Sequence, residues 1–209
     1  MKKIVLVLVL CSFTGAMFAQ GINWGITAGL NASSINMQDK GGYSIGYKAG
    51  FQAGVVMDWG ITKDFSIIPE LDFAQKGTKL TSDGISTNIT LNYLTLPINA
   101  AYKFDLGTDQ KLMIFAGPYL GYGLSTSGDI YALNGGDAYI YHISGPVAKF
   151  GSDDTNLKPF DFGVNVGVGY QYTHVFFKVQ YNIGLANMSR VVDNSWKNSN
   201  LGVTVGYMF

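Results

Sequence analysis

Eight ionisable side chains in this chain have the types and spacing to do chemistry together: Lys48, Lys76, Lys103 and Lys178, with Asp58, Glu70, Asp72 and Asp161. Amines and carboxylates gathered in a shielded place can relay protons, guide ions, or simply pair into a neutral network. Two histidines, His142 and His174, are the natural candidates for proton transfer or metal ligation near neutral pH. His142 with Ser144 and a nearby Asp has the residue types of a hydrolase triad, but all lie in one long irregular segment with no rigid element to hold them. His174 falls in a short turn far from His142, so no two-histidine metal site follows. The reading is no catalytic site, no metal site, no cofactor-binding site and no cofactor. What matters is which elements bring the eight charges together.

Phe160 to Tyr172 answers that most clearly. Phe160, Phe162, Val164, Val166, Val168, Tyr170 and Tyr172 alternate with Asp161, Gly163, Asn165, Gly167, Gly169 and Gln171. Successive side chains on a β-strand point to opposite faces, so this stretch has one apolar stripe and one small, polar stripe. The polar stripe is a poor core and the apolar one a poor aqueous surface. A transmembrane β-strand resolves both, needing about 9–11 residues with lipid-facing apolar groups alternating with interior polar ones.

Composition agrees. Of 209 residues, 13% are charged and 14% aromatic, with 27 glycines, against a usual charged share of about a quarter. The length suits one barrel domain. Lys2 and Lys3, the apolar run Ile4 to Leu10, and smaller residues up to Ala19 read as a signal peptide at residues 1–19, leaving 20–209 as the mature domain. Cys11 permits a lipoprotein reading, but Leu10 stands where lipidation sites want a small residue. No later apolar run reaches the roughly 18 residues of a membrane helix. Without Lys2 and Lys3 the chain has 12 basic against 14 acidic residues, a net of −2, and no basic patch calls for nucleic acid.

The same alternation recurs along the chain. Apolar positions share one phase in strands predicted over Ile22–Leu30, Tyr47–Met57, Phe65–Lys76, Leu91–Lys103, Leu112–Tyr122, Phe160–Tyr172, Val175–Leu185 and Leu201–Phe209. Pro69 lacks a ladder donor and predicts a bulge or a local irregularity there. Between the strands lie polar loops at Asn31–Ile45, Gly77–Asn88, Ser125–Pro159 and Ala186–Ser199, the third with a possible extra hairpin at Ile130–Ile143, alternating with short turns. The fold class is all-β, an eight-stranded antiparallel up-and-down transmembrane β-barrel. With both termini periplasmic, every short connection becomes a periplasmic turn. Trp24, Tyr47, Trp59, Tyr102, Tyr122, Tyr170, Tyr172 and Tyr207 read as interfacial aromatics.

A soluble eight-stranded barrel would carry its apolar face inside. Here Lys, Asp, Glu and Gly share the phase opposite to Val, Phe, Tyr, Leu and Ile, and a lysine at the lipid midplane costs about 2–4 kcal/mol. The eight charges therefore face inward. Eight strands leave an interior only wide enough for side chains, so four lysines against four carboxylates read as a closed, structural charge network.

Several segments resemble the PorT-like outer-membrane β-barrels of Bacteroidetes-type bacteria: Lys48-Ala49-Gly50-Phe51, Pro69 to Gly77, Asn92-Tyr93-Leu94-Thr95-Leu96-Pro97, Asp161 to Gly169, and Gly206-Tyr207-Met208-Phe209. The resemblance implies an outer-membrane location and insertion by the barrel-assembly machinery, with Tyr207 and Phe209 as the terminal aromatic signal. Thr204 stands where that signal often has Gly. One founding member of the family is associated with type IX protein secretion. The family brings no catalytic residues. The expected function is a non-enzymatic binding or assembly component of the envelope, with outer-membrane lipid and an envelope or secretion protein as partners. The alternatives are a narrow channel and, more remotely, a membrane-embedded enzyme.

Overall fold

Alternation of this kind commits each segment to a pleated strand but leaves open how far it runs and which neighbour it pairs with. The computed structural model describes residues 21–38, 42–82, 85–134, 137–142, 150–151, 157–190 and 195–209, with the side chains of 132–134 and 137–142 left aside. The signal-peptide expectation, Cys11 and Ser144 fall outside the described residues. The strands are β1 (Ile22–Met37), β2 (Ser44–Gly46), β3 (Lys48–Gly60), β4 (Phe65–Ser82), β5 (Ile85–Gly107), β6 (Gln110–Asn134), β7 (Asp137–His142), β8 (Phe160–Tyr172), β9 (Val175–Gly184) and β10 (Trp196–Met208).

All pairings between these strands are antiparallel, and they return to their start: β3–β1–β10–β9–β8–β6–β5–β4, and back to β3. Eight long strands thus form a ring, with β2 added to β4 and β7 to β6. Along the ring, one face of each strand is exposed and apolar and the other buried. On β8, Phe160, Phe162, Val164, Val166, Val168 and Tyr172 are exposed while Asp161 and Asn165 are buried. β6, apolar on both faces in sequence, takes the phase with Met113, Phe115 and Tyr119 inside and Ile114 and Leu120 outside. Ile22, expected outside, is buried opposite Trp59, and Trp24 is half-buried rather than an exposed girdle residue.

The strands run further than the apolar pattern indicates, mostly toward one end. Gly77–Asn88 is not a loop: β4 and β5 stay paired from Gly77↔Thr90 to Ser82↔Ile85. Thr78, Thr81, Ile85, Thr87, Ile89 and Thr90 explain this, because β-branched residues favour extended backbone even where no apolar stripe marks it. Thr81 Oγ1 and Ser86 Oγ lie 3.0 Å apart across the pair. β1 likewise continues to Met37, β10 begins at Trp196 rather than Leu201, and β6 runs on to Asn134. There β7 pairs with it from Asp129↔His142 to Asn134↔Asp137, the hairpin expected at Ile130–Ile143. The other end has the tight turns, with Asp109 and Thr173 at positive φ and Thr173 N–H donating to Asp109 O at 2.8 Å.

Pro69 causes no bulge. The β4–β5 ladder skips Glu70 and Leu71 but resumes in the same register at Asp72↔Thr95, since a missing donor removes a bond without inserting a residue. Register shifts lie instead in the β5–β6 pairing, between Asn92 and Tyr93 opposite Gly123 and Ser125 and between Asp105 and Gly107 near the turn.

Inward glycines admit rings. A Cβ at Gly206 would sit 2.2 Å from Cζ of Phe176, which lies across it. Gly206→Ala is expected to cost about 1–3 kcal/mol by overpacking, and the same substitution made in a Phe176→Ala background should cost less, read from urea midpoints in detergent micelles. A cost unchanged by Phe176→Ala would show that the ring is not what excludes the methyl.

Candidate functional site

Because most inward positions of the long strands are polar or small, with Met113, Phe115 and Tyr119 of β6 among the exceptions, the ring encloses a column rich in polar side chains. Its ionisable members come from strands far apart in sequence. Nearest the turn end, Lys103 of β5 donates to Asp58 of β3, with both side chains slightly exposed. Farther in, Lys178 of β9 donates to Glu70 of β4, both buried. Asp72, one inward position beyond Glu70, is buried and accepts from Thr27 Oγ1 at 3.3 Å.

At the opposite end of the column, Lys76 Nζ lies 3.3 Å from Asp161 Oδ2, each side chain 1% exposed or less. The same oxygen accepts from Tyr119 Oη at 3.3 Å and Asn198 Nδ2 at 2.8 Å. The ammonium sits 5.2 Å and 4.8 Å from the ring centroids of Tyr93 and Tyr119, a cation–π arrangement that adds to the carboxylate's pull. Between these layers, Asn165 Nδ2 donates to Asn99 Oδ1 at 2.8 Å and Gln52 Nε2 to Thr204 Oγ1 at 2.7 Å.

Two apolar clusters are interleaved with the column. Val56, Ile68, Ala101, Met113, Phe115, Phe176 and Met208 cluster toward the turns. Ile35, Met37, Ile89, Leu91, Tyr93, Leu157 and Met188 cluster toward the long hairpins, with Phe150 and Trp196 against them. Tyr93 Oη and Asn198 Nδ2 both reach Met188 Sδ at 3.0 Å. The cavity bordered by Asp58, Glu70, Lys103 and Lys178 has room for about one water.

Of the eight charges singled out in sequence, six thus stand in three ion pairs, and Asp72 stands beside the middle one. Lys48 lies half-buried at the start of β3, donating to Ala49 O at 3.3 Å within electrostatic reach of Asp129. Neutral residues complete the network. Gln52 and Asn165 were legible from their phase, but Asn198 lies on a part of β10 read as loop, and Leu157 and Met188 lie outside any strand, where alternation carries no information. His174 is exposed in the turn, its ring 5.7 Å from that of Tyr207, while His142 is on β7 at the other end. Among the described residues no group of His, Cys, Asp and Glu is placed to hold a metal. Tyr207 and Phe209 are exposed, with ring centroids 5.8 Å apart.

Several solved outer-membrane proteins are similar to this chain at low identity. Ail of Yersinia pestis is 14% identical over 91% of this chain and 99% of its own, with a TM-score of 0.42. The outer membrane protein OprG of Pseudomonas aeruginosa is 13% identical over 91% and 97%, with a TM-score of 0.49, and Neisserial surface protein A is 14% identical over 89% and 97%, at 0.47. No curated protein matches the chain in sequence. Residues 18–190 match the outer membrane protein beta-barrel domain, and with that match spanning most of its length the chain belongs to this family of outer-membrane proteins.

Proposed function

We propose that the chain is an eight-stranded up-and-down transmembrane barrel with both termini in the periplasm, acting as a non-enzymatic binding or assembly component of the envelope through its long-hairpin end. One observation carries this: β5 and β6 are 23 and 25 residues long, where crossing a membrane takes about 9–11. Beyond the exposed apolar stretch of β6 from Leu112 to Leu124, the strand continues through Ser125, Thr126, Ser127, Gly128 and Asp129, still paired to β5. A hydrogen-bonded, polar-edged extension loses little conformational entropy when a partner docks on it. In this reading, residues 1–19 are the signal peptide, 20–209 the barrel, and Tyr207 and Phe209 the signal read by the insertion machinery. The narrower PorT-like assignment, and with it a part in type IX secretion, rests on the sequence resemblance.

The channel reading needs a continuous water path. The paired charges and the two apolar clusters argue against one, so the purified barrel is expected to give no conductance steps in planar bilayers. Ohmic steps altered by Lys103→Gln would overturn that expectation. The binding role is tested by in-cell photocrosslinking from Ser127 on the extension and from Trp59 beside a turn. A discrete protein adduct from Ser127 alone supports the proposal. An adduct from Trp59 alone moves the working surface to the periplasmic end, and none from either site removes the binding role.

A further inference from the structure

The outer wall has a groove where β8 begins and β9 ends, at the long-hairpin end. Phe160, Phe162 and Leu185 form its apolar side and are exposed. Lys158, Asn187 and Arg190 form its polar side. Arg190 is the sole arginine of the chain. Among the described residues its Nε is buried without a hydrogen-bond partner, and an unmet buried donor costs free energy.

The groove is built on pinned backbone. Leu185 and Ala186 N–H groups donate to Phe162 O at 2.9 and 3.1 Å, and Lys158 N–H to Met188 O at 3.0 Å. Asn187 Oδ1 accepts from Ser189 N–H and Trp196 N–H, both at 2.9 Å, holding the segment that carries Arg190. Its volume of about 450 Å³ falls within the roughly 300–1,000 Å³ typical of ligand clefts.

We propose that this groove seats a phosphate-bearing lipid, its acyl chains along Phe160, Phe162 and Leu185 and its phosphate on Arg190 and Lys158. Charge complementarity and continuity with the apolar wall select this occupant. A guanidinium matches phosphate oxygens two at a time, a lysine adds a point charge, and both act strongly at the edge of a low-dielectric phase. The polar side lies directly above the apolar side, as head lies above tail in a lipid. The proposal rests on the reading of the wall as lipid-facing.

The test is native mass spectrometry of the full-length mature protein in neutral detergent, titrated with phosphatidylglycerol or with phosphatidylcholine of the same chains. The wild type is expected to retain one phosphatidylglycerol about tenfold more tightly than phosphatidylcholine, the size of one charge-assisted hydrogen bond. Arg190→Gln with Lys158→Gln should abolish that preference, Arg190→Lys should keep part of it, and Lys111→Gln at the turn end should leave it unchanged. Glycerol phosphate in excess should not displace the lipid. If it does, the site binds phosphate alone and the acyl component is wrong. Equal retention of both lipids by the wild type, or a preference that survives the double substitution, overturns the site. Failure to retain either lipid would instead count against the lipid-facing wall itself.

Discussion

Lys76→Met is expected to lower the unfolding stability by about 3–5 kcal/mol, the usual cost of leaving one partner of a buried ion pair uncompensated. Lys76 and Asp161 are each 1% exposed, so water cannot take over the role of the lost ammonium. Asp161 would keep Tyr119 and Asn198 as donors, but its other oxygen, Oδ1, has no partner among the described residues, and two neutral donors do not balance a buried carboxylate. The carboxylate would then take up a proton or draw in water, loosening the apolar cluster around Tyr93 and Met188 that shares its donors. Combining Lys76→Met with Asp161→Asn should restore most of the loss, because the amide keeps the two hydrogen bonds and no charge remains. Urea titration of the folded barrel in phospholipid vesicles reads both effects. A single-substitution cost below about 1 kcal/mol, the range of exposed ion pairs, would mean that the pair is solvated and the interior is not a sealed network.

Val179→Lys is expected to cost about 2–4 kcal/mol in vesicles, the penalty for a lysine at the lipid midplane of a barrel. Val179 lies midway along β9, flanked by Val168 of β8 and Val203 of β10 in register, and all three are exposed. On a surface facing water the same change usually shifts stability by no more than about 0.5 kcal/mol. The two environments are thus separated by a factor of several in one measurement. Val203→Lys should behave alike, whereas Lys at Leu106, beside the turn at 108–109, should cost at most about 1 kcal/mol because depth governs the penalty. Equal, small effects at all three positions would contradict a lipid-facing wall.

The in-or-out assignment of most long strands was legible from residue order, because alternation follows from the covalent geometry of an extended chain and needs no partner; β6, apolar on both faces, and Ile22 at the start of β1 were settled only by packing. Phe160–Tyr172 and Val175–Gly184 appear in the structure within a residue of their predicted spans. Strand ends past the apolar band were not legible: β4 beyond Lys76, β5 before Leu91 and β6 beyond Tyr122 carry only scattered apolar residues without sustained alternation, so only the cross-strand ladder marks them. At Pro69 the expectation of a bulge or a local irregularity is met by the irregularity alone, a gap in the ladder at Glu70 and Leu71, since a missing donor is local but register is a property of two strands.

The sequence by itself therefore determined a wall with an apolar outside and a charged inside. That Lys76 meets Asp161, Lys178 meets Glu70 and Lys103 meets Asp58 was decided only by the tertiary structure, across separations of 85, 108 and 45 residues. Pairing partners depend on how far each strand is staggered against the next when the ring closes, and that stagger sums over all eight junctions. The closure of the column by Leu157 and Met188, and the placing of Arg190 against Phe160 and Phe162, depend likewise on where the connecting segments fold back, which follows from packing over the finished ring rather than from any local pattern.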